Sequence, residues 1–397
     1  MKKEVEFSPL KNCIVGIQFL FVAFGATVLV PLLIGIDPAI ALLTAGIGTL
    51  IFHLVTKGMV PIFLGSSFAF VAPIIKATEL YGLSGALSGI LGVALVYFIM
   101  SAIIKWQGLR LIHKLFPPIV VGPIILLIGL SLAKSAVAMS QSNWLLALVS
   151  LGVATMVSLK GRGMFRLIPV FCGIVAGYII ALIFFDVDLT SVKDAPWLYI
   201  PELQIIDFSW EAIIYMIPIA IAPVIEHIGD VYVVNTVTEK DFTKNPGLHR
   251  TLLGDGLACL FASLIGGPPV TTYSEVTGAM TVTKVTDPKV IRIAAITAIV
   301  FSVLGKINAL LRSIPESVLG GIMLLLFGTI AGAGVSSLLY NKVDMTNMRN
   351  IAIFGITMTL GIGDASLNIG TFSIGGIGLA AIVAVLLNLL LPKANME

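Results

Sequence analysis

Glu226 and Glu275 each fall inside a hydrophobic stretch long enough to lie in a lipid bilayer, and few neighbouring charges offset their own. An acid at membrane depth costs at least ~2.5 kcal/mol to insert, so its default reading is an ion, proton or substrate site. Glu226 sits in Pro218-Ile219-Ala220-Ile221-Ala222-Pro223-Val224-Ile225-Glu226-His227-Ile228-Gly229-Asp230, with no basic residue within a helical turn to make it a structural ion pair. On a helix Glu226 and Asp230 stand four apart and share a face. Asp230 then touches a ligand, holds Glu226 in place or sits near the cytoplasmic mouth. His227 points about 100° away from Glu226 and reads first as a hydrogen-bonded packing histidine, with support of the site from behind as the alternative. Glu275 follows Val270-Thr271-Thr272-Tyr273-Ser274, at a strand-to-helix break where a carboxylate gains from the helix N-terminus; an N-terminal cap is its plainer reading. Asp255 either supports the site or supplies the N-terminal charge of its own helix, and Asp364, near an outer end, is expected to be solvated.

Such acids need membrane-crossing segments to position them. Of 397 residues, 58% are hydrophobic and 11% charged, against roughly 25% charged in an ordinary soluble domain, so the chain reads as an all-α integral membrane protein. The first apolar run, Asn12 to Ile36, exceeds a signal-peptide core of ~7–15 residues and lacks a small-x-small cleavage site, so it is expected to remain as a span. Apolar runs able to cross ~30 Å of hydrocarbon fall near 12–35, 38–56, 59–76, 82–104, 117–135, 143–159, 165–185, 210–234, 251–266, 268–284, 290–311, 315–333, 350–369 and 373–391, fourteen in all. With the N-terminus in the cytoplasm, nineteen of the 24 basic residues fall inside and five outside, the bias that sets orientation. The connection from Asp186 to Trp210 carries Asp186, Asp188, Asp194, Glu202 and Asp207 against Lys193 alone, which suits the outer face. Both termini are therefore expected in the cytoplasm.

The net charge of +3 carries no nucleic-acid signal, because the basic residues are scattered between spans. Cys13, Cys172 and Cys259 lie in apolar runs at unrelated spacings and read as packing residues. His53, His113, His227 and His249 form no ligand spacing, and no HExxH, nucleophile elbow or phosphate loop appears. Neither metal, cofactor nor enzyme chemistry is expected.

Pro117-Pro118-Ile119-Val120-Val121-Gly122-Pro123-Ile124-Ile125-Leu126-Leu127 recurs as Pro315-Glu316-Ser317-Val318-Leu319-Gly320-Gly321-Ile322-Met323-Leu324-Leu325, at an offset of 198, half the chain. These are expected spans five and twelve. Seven spans separate equivalent points, and an odd number turns the second copy upside down, giving an inverted repeat of the kind secondary transporters use. Each half also contains a span that cannot be one continuous helix. The first runs from Gly58 to Pro73, bounded by Pro61 and Pro73 with Gly65-Ser66-Ser67 in its middle; the second opens on Gly266-Gly267-Pro268-Pro269 and continues in β-favouring residues. Extended backbone at membrane depth is tolerated only where protein buries it or it lines a cavity. Paired interruptions in two halves point to a transporter's binding site, with half-helix N-termini offering N–H donors to a carbonyl-rich ligand.

These residues resemble the nucleobase–ascorbate transporter family, the nucleobase:cation symporter-2 proteins, and within it the bacterial uracil permeases most closely. The resemblance runs from about Asn12 to Pro392. It rests on Phe24-Gly25-Ala26-Thr27-Val28-Leu29-Val30-Pro31, Gly65-Ser66-Ser67-Phe68-Ala69-Phe70, Glu226-His227-Ile228-Gly229, Pro246-Gly247-Leu248-His249-Arg250, and Thr271-Thr272-Tyr273-Ser274-Glu275 followed by Gly278, Thr283 and Lys284. It implies fourteen spans in two inverted 7-span repeats, with short extended β pieces in spans 3 and 10. It also implies a core domain (1–104 and 208–312) and a gate domain (105–207 and 313–397), usually dimeric through the gate. The acids equivalent to Glu226 and Glu275 hold the ring N–H groups of the base, and the backbone around Phe68 meets its carbonyl groups. Tyr273 and Ser274 stand beside them. Two departures bear on the ligand. Val276 stands where the family usually has Asn, and Asp230 where uracil permeases often have His, as in purine-type members; those members, however, typically place Gln at the position of Glu275.

The expected activity is proton-coupled uptake of a nucleobase, uracil before xanthine, across the cell membrane, with Glu226 and Asp230 as proton-coupling candidates and sodium as the alternative ion. The competing class is an anion exchanger or channel on a related inverted-repeat scaffold, against which two acids facing one cavity argue by repulsion.

Overall fold

The computed structural model describes residues 9–392 apart from Met164, Glu202, Gly370 and Thr371. Glu202, the side chain of His113 and both chain ends therefore lie outside the described residues. The first long helix, Pro9–Ile34, leads through Asp37 into Pro38–Val55. Asp37 is an N-cap: its Oδ1 accepts from Ala39 N at 2.9 Å, and Pro38 occupies the first turn, where a missing N–H costs nothing. Asn143, Asp287 and Asn347 cap later helices in the same way. Among the described residues five helices are long and apolar enough to cross a bilayer, and the pair Trp210–Met216 and Ile221–Thr238, bent by 45°, makes a sixth. The bend falls between Pro218 and Pro223, which remove backbone donors there. Four shorter apolar helices are Trp144–Lys160, Pro169–Phe184, Met348–Ile362 and Gly376–Leu390. The protein is thus a largely helical, multi-pass membrane protein.

Helix pairing follows a swapped pattern. Helix Pro38–Val55 packs along Pro288–Ser302, and Ile90–Gln107 along Leu248–Leu264; Trp144–Lys160 packs on Pro169–Phe184 as Met348–Ile362 does on Gly376–Leu390. Moving along the chain by seven expected spans exchanges the members of these pairs. The recurring sequence motif begins a helix in both places, with Pro117 and Pro315 as extended N-caps (φ −67°, ψ 163° and φ −59°, ψ 140°). Those two helices, Pro118–Ser131 and Glu316–Tyr340, cross on glycine: a Cβ on Gly129 would lie 2.5 Å from Ala331 N.

Both interrupted spans contain strands. Strand β1, Leu64–Ser66, pairs antiparallel with strand β2, Val270–Thr272, in the register Leu64 with Thr272, Gly65 with Thr271 and Ser66 with Val270. Ser67 N donating to Pro269 O at 3.0 Å and Tyr273 N donating to Phe63 O at 3.1 Å extend the ladder. Side chains satisfy its flanks. Leu64 N donates to Thr49 Oγ1 at 2.9 Å, and Cys259 Sγ donates to Val270 O at 3.0 Å. Every residue of both strands is buried, so this extended backbone meets the requirement that protein, not lipid, covers it.

Two expectations change. Helix Met348–Ile362 stops short of the expected end at 369, and an antiparallel hairpin, β3 (Ser366–Ile369) with β4 (Phe372–Gly375), precedes the last helix. The stretch Val71–Ser88 is two helical pieces joined at a kink on Gly82 (φ 72°, ψ 164°), a conformation open to glycine, and the kink falls where the fourth span is expected to begin. Of the three cysteines only Cys259 is fully buried; Cys13 is exposed because it lies on the outer face of the first helix. The connection after Phe184 is stitched to helix Gly305–Arg312: Tyr199 N donates to Val303 O (2.9 Å), Gly305 N to Trp197 O (3.1 Å), and Tyr199 Oη to Asp37 Oδ2 (2.8 Å), where Arg312 also pairs at 2.8 Å.

Candidate functional site

Beyond β2 the chain turns into helix Ser274–Thr283, with Tyr273 as an N-cap that makes no side-chain capping bond. Beyond β1 it turns through Phe68–Phe70 into Val71–Ser88, again without a side-chain cap. Two helix starts therefore flank one short sheet, and helix Ile221–Thr238 packs against both β2 and helix Ser274–Thr283. Glu226 and Glu275 are both exposed, on the facing helices, and close enough to interact electrostatically. Three residues after each acid comes a glycine, Gly229 and Gly278, both exposed and with nothing within 4 Å of where a Cβ would stand. Each helix thus presents an acid and an unfilled space on one face.

Asp230 has a different setting. It is buried, its Oδ2 accepts from Thr272 Oγ1 at 2.5 Å, and its Oδ1 accepts from Ser274 Oγ at 2.6 Å. Both carboxylate oxygens are engaged in fixing the end of β2 and the first residue of the following helix. Asp230 thus ties helix Ile221–Thr238 to the end of β2 and to Ser274 and makes no bond to Glu226 among the described residues.

Tyr273 is buried, and its hydroxyl donates to Ser66 O at 2.7 Å across the sheet. Its ring lies over Gly65, where a Cβ would come within 2.4 Å of Tyr273 Cζ. Gly65→Ala is therefore expected to displace the ring and break the bond to Ser66. Overpacking of this kind destabilises by about 1–3 kcal/mol, which a lowered thermal midpoint of the purified protein would register. Gly278→Ala, with open space around it, is the control and should melt with the unmodified chain.

Phe68 is half-buried and meets Phe327 of helix Glu316–Tyr340 edge-on, ring centroids 5.8 Å apart at 89°. Val276 is wholly buried, so its side chain points into packing and away from the face that bears Glu275. His227 and Asp255 are fully buried and bonded to each other, Nδ1 to Oδ2 at 2.8 Å, while His227 Nε2 lies 2.8 Å from Thr251 Oγ1. His227 is thus buried and hydrogen-bonded, with Asp255 and Thr251 as its partners. Thr251 does not stand out in the sequence; the run of hydroxyls in Thr271-Thr272-Tyr273-Ser274 beside an intramembrane acid was the available signal for the Asp230 clamp. Asp364 is exposed. Among the described residues no group of three or more His, Cys, Asp or Glu side chains is arranged to hold a metal ion.

The chain is similar to known proteins over nearly its full length. The family model described as "Permease family" (Xan_ur_permease) matches residues 10–370. A "Probable uracil permease" of Haemophilus influenzae is 49% identical over 399 residues, covering 98% of this chain and 96% of that protein. The "Uracil permease" of Bacillus caldolyticus is 46% identical over 393 residues, covering 95% and 91%. Among solved structures, the transmembrane domain of a cyanobacterium bicarbonate transporter, BicA, superposes with a TM-score of 0.67 at 16% identity, covering 97% of this chain and 98% of that one. At that identity the likeness concerns the fold.

Proposed function

Because the chain belongs to the Permease family, we propose that it is a secondary active transporter that takes up a nucleobase, uracil first, across the cell membrane by proton symport. The observation that carries the reading is the pair Glu226 and Glu275, exposed on adjacent helix faces beside the β1–β2 sheet. Two carboxylates so placed suit the N1–H and N3–H groups of uracil, and the uncapped helix starts offer donors to its carbonyl groups. The relatives' names support uracil.

In this reading fourteen spans form two inverted repeats, an arrangement that the swapped helix pairs and the shared Pro117 and Pro315 caps support. The core (1–104 and 208–312) carries the base past the gate (105–207 and 313–397), with both termini in the cytoplasm and two copies meeting through their gates. Phe68 on Phe327 is a contact between the two units. Glu226 takes a proton outside with the base and releases both inside.

The test is calorimetric binding of uracil and of xanthine to the purified protein across pH. Uracil binding with xanthine silent is expected. Xanthine binding with uracil silent would transfer the site to the purine-type reading suggested by Asp230, and silence for both would return the chain to the anion-exchanger class.

A further inference from the structure

The buried pair behind Glu226 is held by a chain of three hydrogen-bond contacts. Thr251 Oγ1 lies 2.9 Å from Leu248 O and 2.8 Å from His227 Nε2; with its single proton given to the carbonyl it accepts from Nε2, which then carries a hydrogen. The 2.8 Å contact between His227 Nδ1 and Asp255 Oδ2 then holds one proton, and whichever atom keeps it, histidine and aspartate together are neutral. Both residues are fully buried, with the rings of Phe52 and Tyr97 edge-on to the imidazole at 6.4 and 6.5 Å. Asp255 Oδ1 has no hydrogen-bond partner among the described residues. A neutral pair is the arrangement least penalised in such surroundings. The titratable groups around it are Glu226 and Asp230 on the histidine's own helix, Tyr97 on Ile90–Gln107 and Cys259 on the aspartate's helix; helix Pro38–Val55 contributes the untitratable Phe52.

Resting on the uptake reading above, we propose that Asp255 and His227 are positioning residues. The pair, pinned by Thr251, locks helix Ile221–Thr238 to helix Leu248–Leu264 and so sets the rotation at which the adjacent Glu226 faces the base. It does not carry the coupled proton. The lock needs a hydrogen bond to Nδ1 and no net charge. In Asp255→Asn the carboxamide N–H can donate to Nδ1, whereas Asp255→Ala leaves the imidazole unheld.

The experiment measures uracil binding and proton-driven uptake by the full-length protein in proteoliposomes, across pH, for the unmodified chain and both variants. Asp255→Ala is expected to weaken binding on the order of 10- to 100-fold, the range for partners that orient a ligating side chain. Asp255→Asn is expected to restore binding to within about threefold of the unmodified chain, a loss smaller than that range, with a superimposable pH profile of uptake. A flattened or shifted profile in Asp255→Asn would overturn the proposal by making Asp255 a proton carrier. Binding unchanged in Asp255→Ala would overturn it by removing the positioning role. Failure of the uptake reading itself is distinguishable, since the unmodified chain would then not bind uracil.

Discussion

Glu226→Gln is expected to abolish accumulation of uracil against a gradient while leaving exchange of internal for external base measurable. One proton moving down ~100 mV contributes ~2.3 kcal/mol, and one pH unit adds ~1.4 kcal/mol, together enough for a few-hundred-fold accumulation. Glutamine keeps the side chain's length and a hydrogen-bonding group but has no proton to exchange, so the steady-state ratio should fall to about one. In the unmodified chain uptake at fixed internal pH should rise as the external pH is lowered, because base enters with a proton; in Glu226→Gln that dependence should vanish. The measurement is radiolabelled uptake into proteoliposomes with an imposed pH step and potential. Persistent accumulation would assign the proton to Asp230 or Glu275, and Asp230 is the weaker heir, because Thr272 and Ser274 occupy both of its oxygens.

Asp230 also marks the limit of what the sequence exposes. Its helical spacing from Glu226 is readable, as are Gly65-Ser66-Ser67 and Gly266-Gly267-Pro268-Pro269 as interruptions, because proline and glycine act locally on the backbone. Which side of an acid meets solvent and which meets a hydroxyl depends on a neighbour 42 or 44 residues away, and no local pattern carries that. The same holds for Tyr273 lying over Gly65, a contact spanning half the chain. The β3–β4 hairpin escaped for a different reason. Its residues, Ser366-Leu367-Asn368-Ile369 and Phe372-Ser373-Ile374, continue the apolar character of the spans on either side, and hydropathy does not separate a short strand from the end of a helix. Val276 shows the reverse case: a departure from the family pattern that looks like a lost ligand contact is, in three dimensions, a packing position.

Glu275→Ala is expected to remove uracil binding without unfolding the protein. Glu275 is exposed in the first turn of Ser274–Thr283, so truncation takes away no buried packing. Alanine also suits a helix interior better than most residues. What is lost is the charge-assisted hydrogen bond to a ring N–H. Such bonds contribute about 1.5–3 kcal/mol, equivalent to roughly 10- to 150-fold in affinity. Calorimetry on the purified variant should therefore show binding weakened by that factor or lost, at an unchanged thermal midpoint. Glu275→Gln, which keeps an acceptor, should fall between the two. The contrast with Gly65→Ala is the informative part: that substitution attacks the sheet holding the site and lowers the melting temperature, whereas Glu275→Ala attacks the ligand contact alone. Full-strength uracil binding by Glu275→Ala would mean that the base sits on Glu226 without its facing acid, and the two-carboxylate site would have to be abandoned.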